Sequence, residues 1–71
     1  MSWKAKEEMW TQVCEEADEI LMQVYHFDYS EDDRKHVEDR VASFKERADP
    51  DSSEDVEEVL EEMRRWARRV L

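Results

Sequence analysis

The sequence predicts an all-α chain folded as an antiparallel up-down-up three-helix bundle. Apolar residues return at steps of three, four and seven along three stretches, and two short polar breaks separate those stretches. The 71 residues also contain no glycine and a single proline, so little interrupts a helix. That length allows one small domain, spanning 1–71. It is too short for a nucleotide-binding βαβ pair or a Greek-key sandwich, and the missing glycine excludes a phosphate-cradling loop and Asn-Gly hairpins. Composition alone points the other way. Leu, Ile, Val and Phe number only 13 against a formal charge of −10, a balance typical of disordered chains. Three Trp, four Met and two Tyr offset it, because each buries a large area, and the helical periodicity decides for folding.

The first helix is expected over about 3–27. Trp3, Trp10, Val13, Ala17, Ile20, Val24 and Phe27 fall on one helical face, and two-residue alternation is absent. Ser2 is placed to cap it, although Lys4 and Lys6 sit unfavourably near the positive end of the helix dipole. The second is expected over about 31–48. Ser30 and Asp33 have capping-box spacing, and Glu31 and Asp32 add negative charge to the first turn. Its stripe of Val37, Val41, Phe44 and Ala48 is thin, with one large side chain.

Asp49-Pro50-Asp51 ends the second helix, because a residue before proline is pushed out of the helical region. The third is expected over about 52–71, capped by Ser52 with Asp55 or by Asp49 with Pro50 in the first turn. Val56, Val59, Leu60, Met63, Trp66, Ala67, Val70 and Leu71 line one side. Glu54, Asp55, Glu57 and Glu58 come first and Arg64, Arg65, Arg68 and Arg69 last, which suits the dipole at both ends. Glu61 stands four residues before Arg65 for a surface pair worth about 0.2–0.5 kcal/mol, so packing must supply the stability. Trp3, Trp10, Val41, Phe44, Leu60, Met63 and Trp66 are the expected core. The agreement of caps, end charges and apolar steps from Ser30 to Leu71 resembles a computationally designed, idealised helical protein.

The first helix carries a wider apolar arc, about 160° at 100° per residue. One edge holds Met9, Phe27, Ile20 and Val13, the middle Val24, Ala17 and Trp10, and the other edge Trp3, Leu21, Cys14 and Tyr25; Met22 lies outside it. A helix docked on two neighbours can use such an arc entirely as core. Alternatively one edge packs inward and the other stays free for a partner.

Residues Met9 to Ile20 resemble the short pro-apoptotic helix that docks in the groove of Bcl-family proteins. The resemblance implies Met9, Val13 and Ile20 as anchors, Ala17 as the small residue allowing close approach, and Asp18 as the partner of a groove arginine. Helix-in-groove recognition needs such anchors on one line. Glu16 departs from the pattern, standing where a third apolar anchor belongs, and Val13 is smaller than the usual leucine. A buried, unpaired glutamate there would cost several kcal/mol, on the order of a desolvated charge.

Other chemistry is thinly represented. Asp33 and His36 have carboxylate-x-x-His spacing, but helical di-metal sites need two copies and further glutamates. Cys14 lacks an orienting group for nucleophilic chemistry, and reads as a small apolar side chain. As the lone cysteine it excludes an internal disulfide and fits a reducing cytoplasm or recombinant expression. Glu15, Glu16, Asp18 and Glu19 read as a solvated face. The arginines around Trp66 invite a nucleic-acid or membrane-surface reading, which the net charge of −10 opposes. With no signal-peptide pattern and no run of eighteen apolar residues, a soluble chain is expected.

The functional expectation is a non-catalytic helical module without metal or cofactor, engaging another protein through helix one at Met9, Val13, Glu16, Ala17, Asp18 and Ile20. Nucleic acid and membrane are not expected partners. Self-association as a homodimer, joined under oxidising conditions through Cys14, is the other use of an exposed apolar edge. A bundle made only to fold is the first alternative, and an acidic inhibitor that imitates DNA is the second.

Overall fold

The computed structural model describes residues 3–71, with Trp3 described at the backbone only. Three helices follow in order, α1 (Trp3–His26), α2 (Glu31–Arg47) and α3 (Val56–Val70), and every pair is in contact. Cross-helix contacts fix their directions. Asp18 pairs with Lys45 and Tyr25 with Glu38, so α1 and α2 run antiparallel. Arg47 pairs with Glu62 and Phe44 stacks on Trp66, so α2 and α3 are antiparallel as well. The result is the expected up-down-up bundle. Its 41 Å long dimension is set by α1, whose 24 residues span about 36 Å.

The first two helices keep their expected starts, and the third does not. Ser30 caps α2, its hydroxyl oxygen accepting from the Asp33 amide at 3.2 Å. The third helix begins at Val56, four residues later than the sequence suggests, with Asp55 as its cap. Local hydrogen bonds explain the shift. The Asp49 carboxylate accepts from the Asp51 amide at 2.8 Å, and the Ser52 amide donates to the Asp49 carbonyl at 2.9 Å, closing a turn around Pro50. The Ser52 hydroxyl donates to the Arg47 carbonyl at 2.8 Å, satisfying the end of α2 rather than the start of α3. Asp55 then takes the capping role, accepting from the Glu57 amide at 3.0 Å. Ser2, expected to cap α1, lies outside the described residues.

The core contains Val13, Ala17, Ile20 and Val24 from α1, Val37, Val41 and Phe44 from α2, and Val56, Val59, Leu60, Met63 and Trp66 from α3, with Ala48 at the end of α2. Six valines and two alanines make it a core of small residues, organised around the large Phe44, Met63 and Trp66. Phe44 and Trp66 meet at 5.6 Å between ring centroids with planes tilted by 49°. The guanidinium groups of Arg40 and Arg47 stand 5.1 and 5.7 Å from the Phe44 ring centroid. Arg47 also holds Glu54 and Glu62, fastening the loop and α3 to the end of α2.

Of the expected core, Val41, Phe44, Leu60, Met63 and Trp66 are buried. Trp10 is a correction: it is 36% exposed, lying beside Asp49, Pro50 and Asp51 at a shallow surface depression. The α2–α3 connection, rather than a helix, meets it there. The Trp3 side chain lies outside the described residues. Phe44→Ala should therefore destabilise the bundle by about 3–5 kcal/mol, enough to remove most of the stability of so small a domain. Trp10→Ala should cost less than half as much, and urea unfolding followed by circular dichroism compares the two.

Candidate functional site

Helix α1 faces both of its neighbours, and Glu16-Ala17-Asp18 shows how. Ala17 is fully buried, and its single methyl group lets the helices approach closely. On the α3 side Glu16 accepts two hydrogen bonds from Arg64, at 2.8 and 2.7 Å. On the α2 side Asp18 accepts from Lys45 at 3.0 Å. One small residue thus sits between two charged fasteners, each reaching a different helix. The bidentate Arg64 pair holds the Glu16 carboxyl below its ordinary range and pushes the Arg64 guanidinium up. Arg47 acts on Glu62 in the same direction.

The structure places the six expected binding residues in and around the packed seam of α1. Val13 and Ala17 are fully buried and Ile20 nearly so, while Met9 is half-buried against the core. Glu16 and Asp18 are engaged within the chain. Val13, Ala17 and Ile20 thus form an inward seam, with Met9 and Glu16 half-buried and Asp18 exposed beside it. Glu16, where the sequence departs from the Bcl-type pattern, pairs with Arg64. A groove could reach Val13 and Ala17 only if α1 left the bundle.

Exposed apolar side chains lie elsewhere on α1. Met22 is 69% exposed, Tyr25 54% and Phe27, just past the helix end, 59%. With Glu19, Gln23 and His26 they line one open depression. The Phe27 ring stands edge-on to the His26 ring, 5.6 Å away. The Tyr25 hydroxyl donates to Glu38, which raises the phenol's pKa above its ordinary value. Glu19 and Gln23 also border a second depression between α1 and α3, lined by Ile20, Met63, Ala67 and Leu71 and edged by Arg64 and Arg68. The exposed Leu71 belongs to this second depression, and Glu19 and Gln23, common to both, make the two neighbours along α1 in one strip.

The charge on the α1 side of these depressions is one-sided, whereas Arg64 and Arg68 stand on the α3 side. Residues 7–33 contain ten acids and no lysine or arginine. Glu15, Glu19 and Asp28 are exposed there and enter no ion pair among the described residues. The gap in basic residues was readable in the sequence. The grouping of Met22 with Tyr25 and Phe27 around one depression was not, because a lone methionine off the apolar arc carries no periodic signal.

The remaining candidates are quickly placed. Cys14 is half-buried, and burial raises its thiol pKa, which disfavours the reactive thiolate. His26 and His36 are exposed. Among the described residues, no group of three or more His, Cys, Asp or Glu is placed to hold a metal ion, and no helix is long and apolar enough to cross a membrane. Of the terminal arginines, Arg64 crosses to α1, whereas Arg65 lies 3.9 Å from Glu61 on its own helix and Arg68 donates to the Arg64 carbonyl. Comparison with protein-family models, curated proteins and solved structures found no match.

The lowered Glu16 pKa has a defined pH signature. The Arg64 pair stabilises the fold above the unfolded carboxyl value near 4.5, and this contribution is lost as pH falls through the lower folded value. Water reaches both partners, so the contribution is no more than about 1 kcal/mol. Glu16→Gln should lower stability at neutral pH by that amount. The difference from wild type should vanish in acid, as read by urea midpoints between about pH 7 and pH 2.

Proposed function

We propose that this chain is a non-catalytic helical protein-binding module of idealised, designed character, and that its partner docks on the outer face of α1. The single observation carrying this reading is the exposure of Met22, Tyr25 and Phe27 together around one depression. Isolated exposed apolar residues are ordinary on any surface; a contiguous group at one site is a recognition feature. The capped ends and dipole-matched charges of α2 and α3 support the idealised character.

The partner face proposed here differs from a Bcl-type register. Val13, Ala17 and Ile20 are spent on the core, so the anchors come from the C-terminal half of α1 and the turn after it. The rival reading, a bundle made only to fold, gains support from the same burial, since it leaves the expected anchors no external role.

Selection of a random peptide library against the protein separates the two. Under the binding reading, enriched peptides lose affinity for Met22→Ser/Phe27→Ser, while that variant keeps the wild-type melting temperature. Ile20→Ala serves as the contrast, because its buried side chain should cost about 2–5 kcal/mol of stability. If no peptide enriches, or every enriched peptide binds the double variant equally well, α1 has no recognition face.

A further inference from the structure

We propose that the partner seated on α1 is a basic amphipathic helix, with its apolar side in the Met22–Tyr25–Phe27 depression and its Lys/Arg side over Glu15, Glu19 and Asp28. This rests on the reading of α1 as the recognition face and adds the chemistry of its occupant.

Charge complementarity selects the partner. Glu19, which borders both depressions, and the exposed Glu15 and Asp28 lie in a 27-residue stretch without lysine or arginine. The bases facing α1 are Lys45, committed to Asp18, Arg64, committed to Glu16, and Arg68, confined to the α3 side of the adjoining depression, where it donates to the Arg64 carbonyl. An acidic partner would meet uncompensated repulsion, and a neutral one would leave these carboxylates partly desolvated without a counter-charge. A second copy of the chain presents the same acidic face and a further formal charge of −10, which opposes symmetric pairing there. Lysines and arginines brought by a partner satisfy the acids at the rim while apolar side chains fill the centre.

The shape selects a helix. Met22, Tyr25 and Phe27 surround one depression, and the adjoining one offers the half-buried Ala67 and the exposed Leu71 along the α1–α3 seam, above the buried Ile20 and Met63. Together they follow α1 from Glu16 to Phe27, about 17 Å of helix axis, which matches roughly three turns of a docked helix. Anchors at i, i+3, i+4 and i+7 cover such a strip from one side. Glu19 and Gln23 border both depressions, so the polar rim and the apolar floor run along the same line.

Three synthetic 18-residue helical peptides with one leucine face test the assignment; their polar positions are all lysine, all serine or all glutamate. Isothermal titration calorimetry of each against the full chain, with reductant present, reads the affinities. The lysine peptide should bind at least tenfold more tightly than the other two, its affinity falling severalfold as salt rises from about 50 to 300 mM. Met22→Ser/Phe27→Ser should weaken it by about tenfold or more, as expected when central apolar anchors are lost. Glu15→Gln/Glu19→Gln should remove most of the salt dependence, with circular dichroism unchanged in both variants. Serine or glutamate peptides that bind as tightly, and lose affinity in the Met22/Phe27 variant, would overturn the basic partner yet leave α1 as a recognition face. Lysine-peptide binding indifferent to that variant would overturn the seat, being general attraction to an acidic protein. Binding of none of the three would remove both this assignment and the reading beneath it. Sedimentation showing a dimer that the Met22/Phe27 variant abolishes would give the face to a second copy, and would likewise overturn the proposal.

Discussion

The contact between Phe44 and Trp66 is the interaction on which the bundle turns. Apolar material is scarce in this chain, and most of what is buried is valine or alanine. Such side chains fill space but reach little distance, so two large rings supply the bridge between α2 and α3. Arg40 and Arg47 stand near the Phe44 ring, and Arg47 continues outward to Glu54 and Glu62. One turn of α2 therefore joins a core contact to a polar clamp on the following loop and helix. The clamp is partly solvated and worth little by itself. Its effect is to orient elements that the ring contact already holds together.

Helix α1 solves a different problem, since it must face two helices with few large residues. Ala17 meets this by being small, and its two neighbours in sequence secure the flanks, Glu16 to Arg64 and Asp18 to Lys45. A small residue followed by an aspartate resembles a groove-binding helix for the same reason that it works here. Close approach to a neighbouring helix needs a small side chain, and alignment is helped by a charge beside it. The neighbours in this molecule belong to the same chain.

The outer side of α1 is left with what the fold does not use. Glu15, Glu19 and Asp28 enter no ion pair among the described residues, and the exposed apolar residues gather where the helix ends. Solubility accounts for an acidic face alone. A methionine, a tyrosine and a phenylalanine grouped on that face add no solubility and take no part in the buried core, which is why they carry the functional proposal.

Much of this protein was determined by sequence alone. The three-helix class, the cap at Ser30 and the buried stripe of α2 follow from local rules: 3.6-residue periodicity and the need of helix ends for hydrogen-bond partners. Those rules act within a few residues and are readable there. The start of α3 was ambiguous because Ser52, Asp49 and Asp55 are all competent caps; the choice depended on Ser52 reaching back to the Arg47 carbonyl. Only tertiary structure decided the fate of α1. Periodicity shows that its apolar arc is wide, but which part is covered depends on where two other helices lie and how far their side chains reach. Val13, Ala17 and Ile20 fell beneath them, and Trp10, Tyr25 and Phe27 did not. Burial is a property of neighbours, and no segment carries its neighbours in its own sequence.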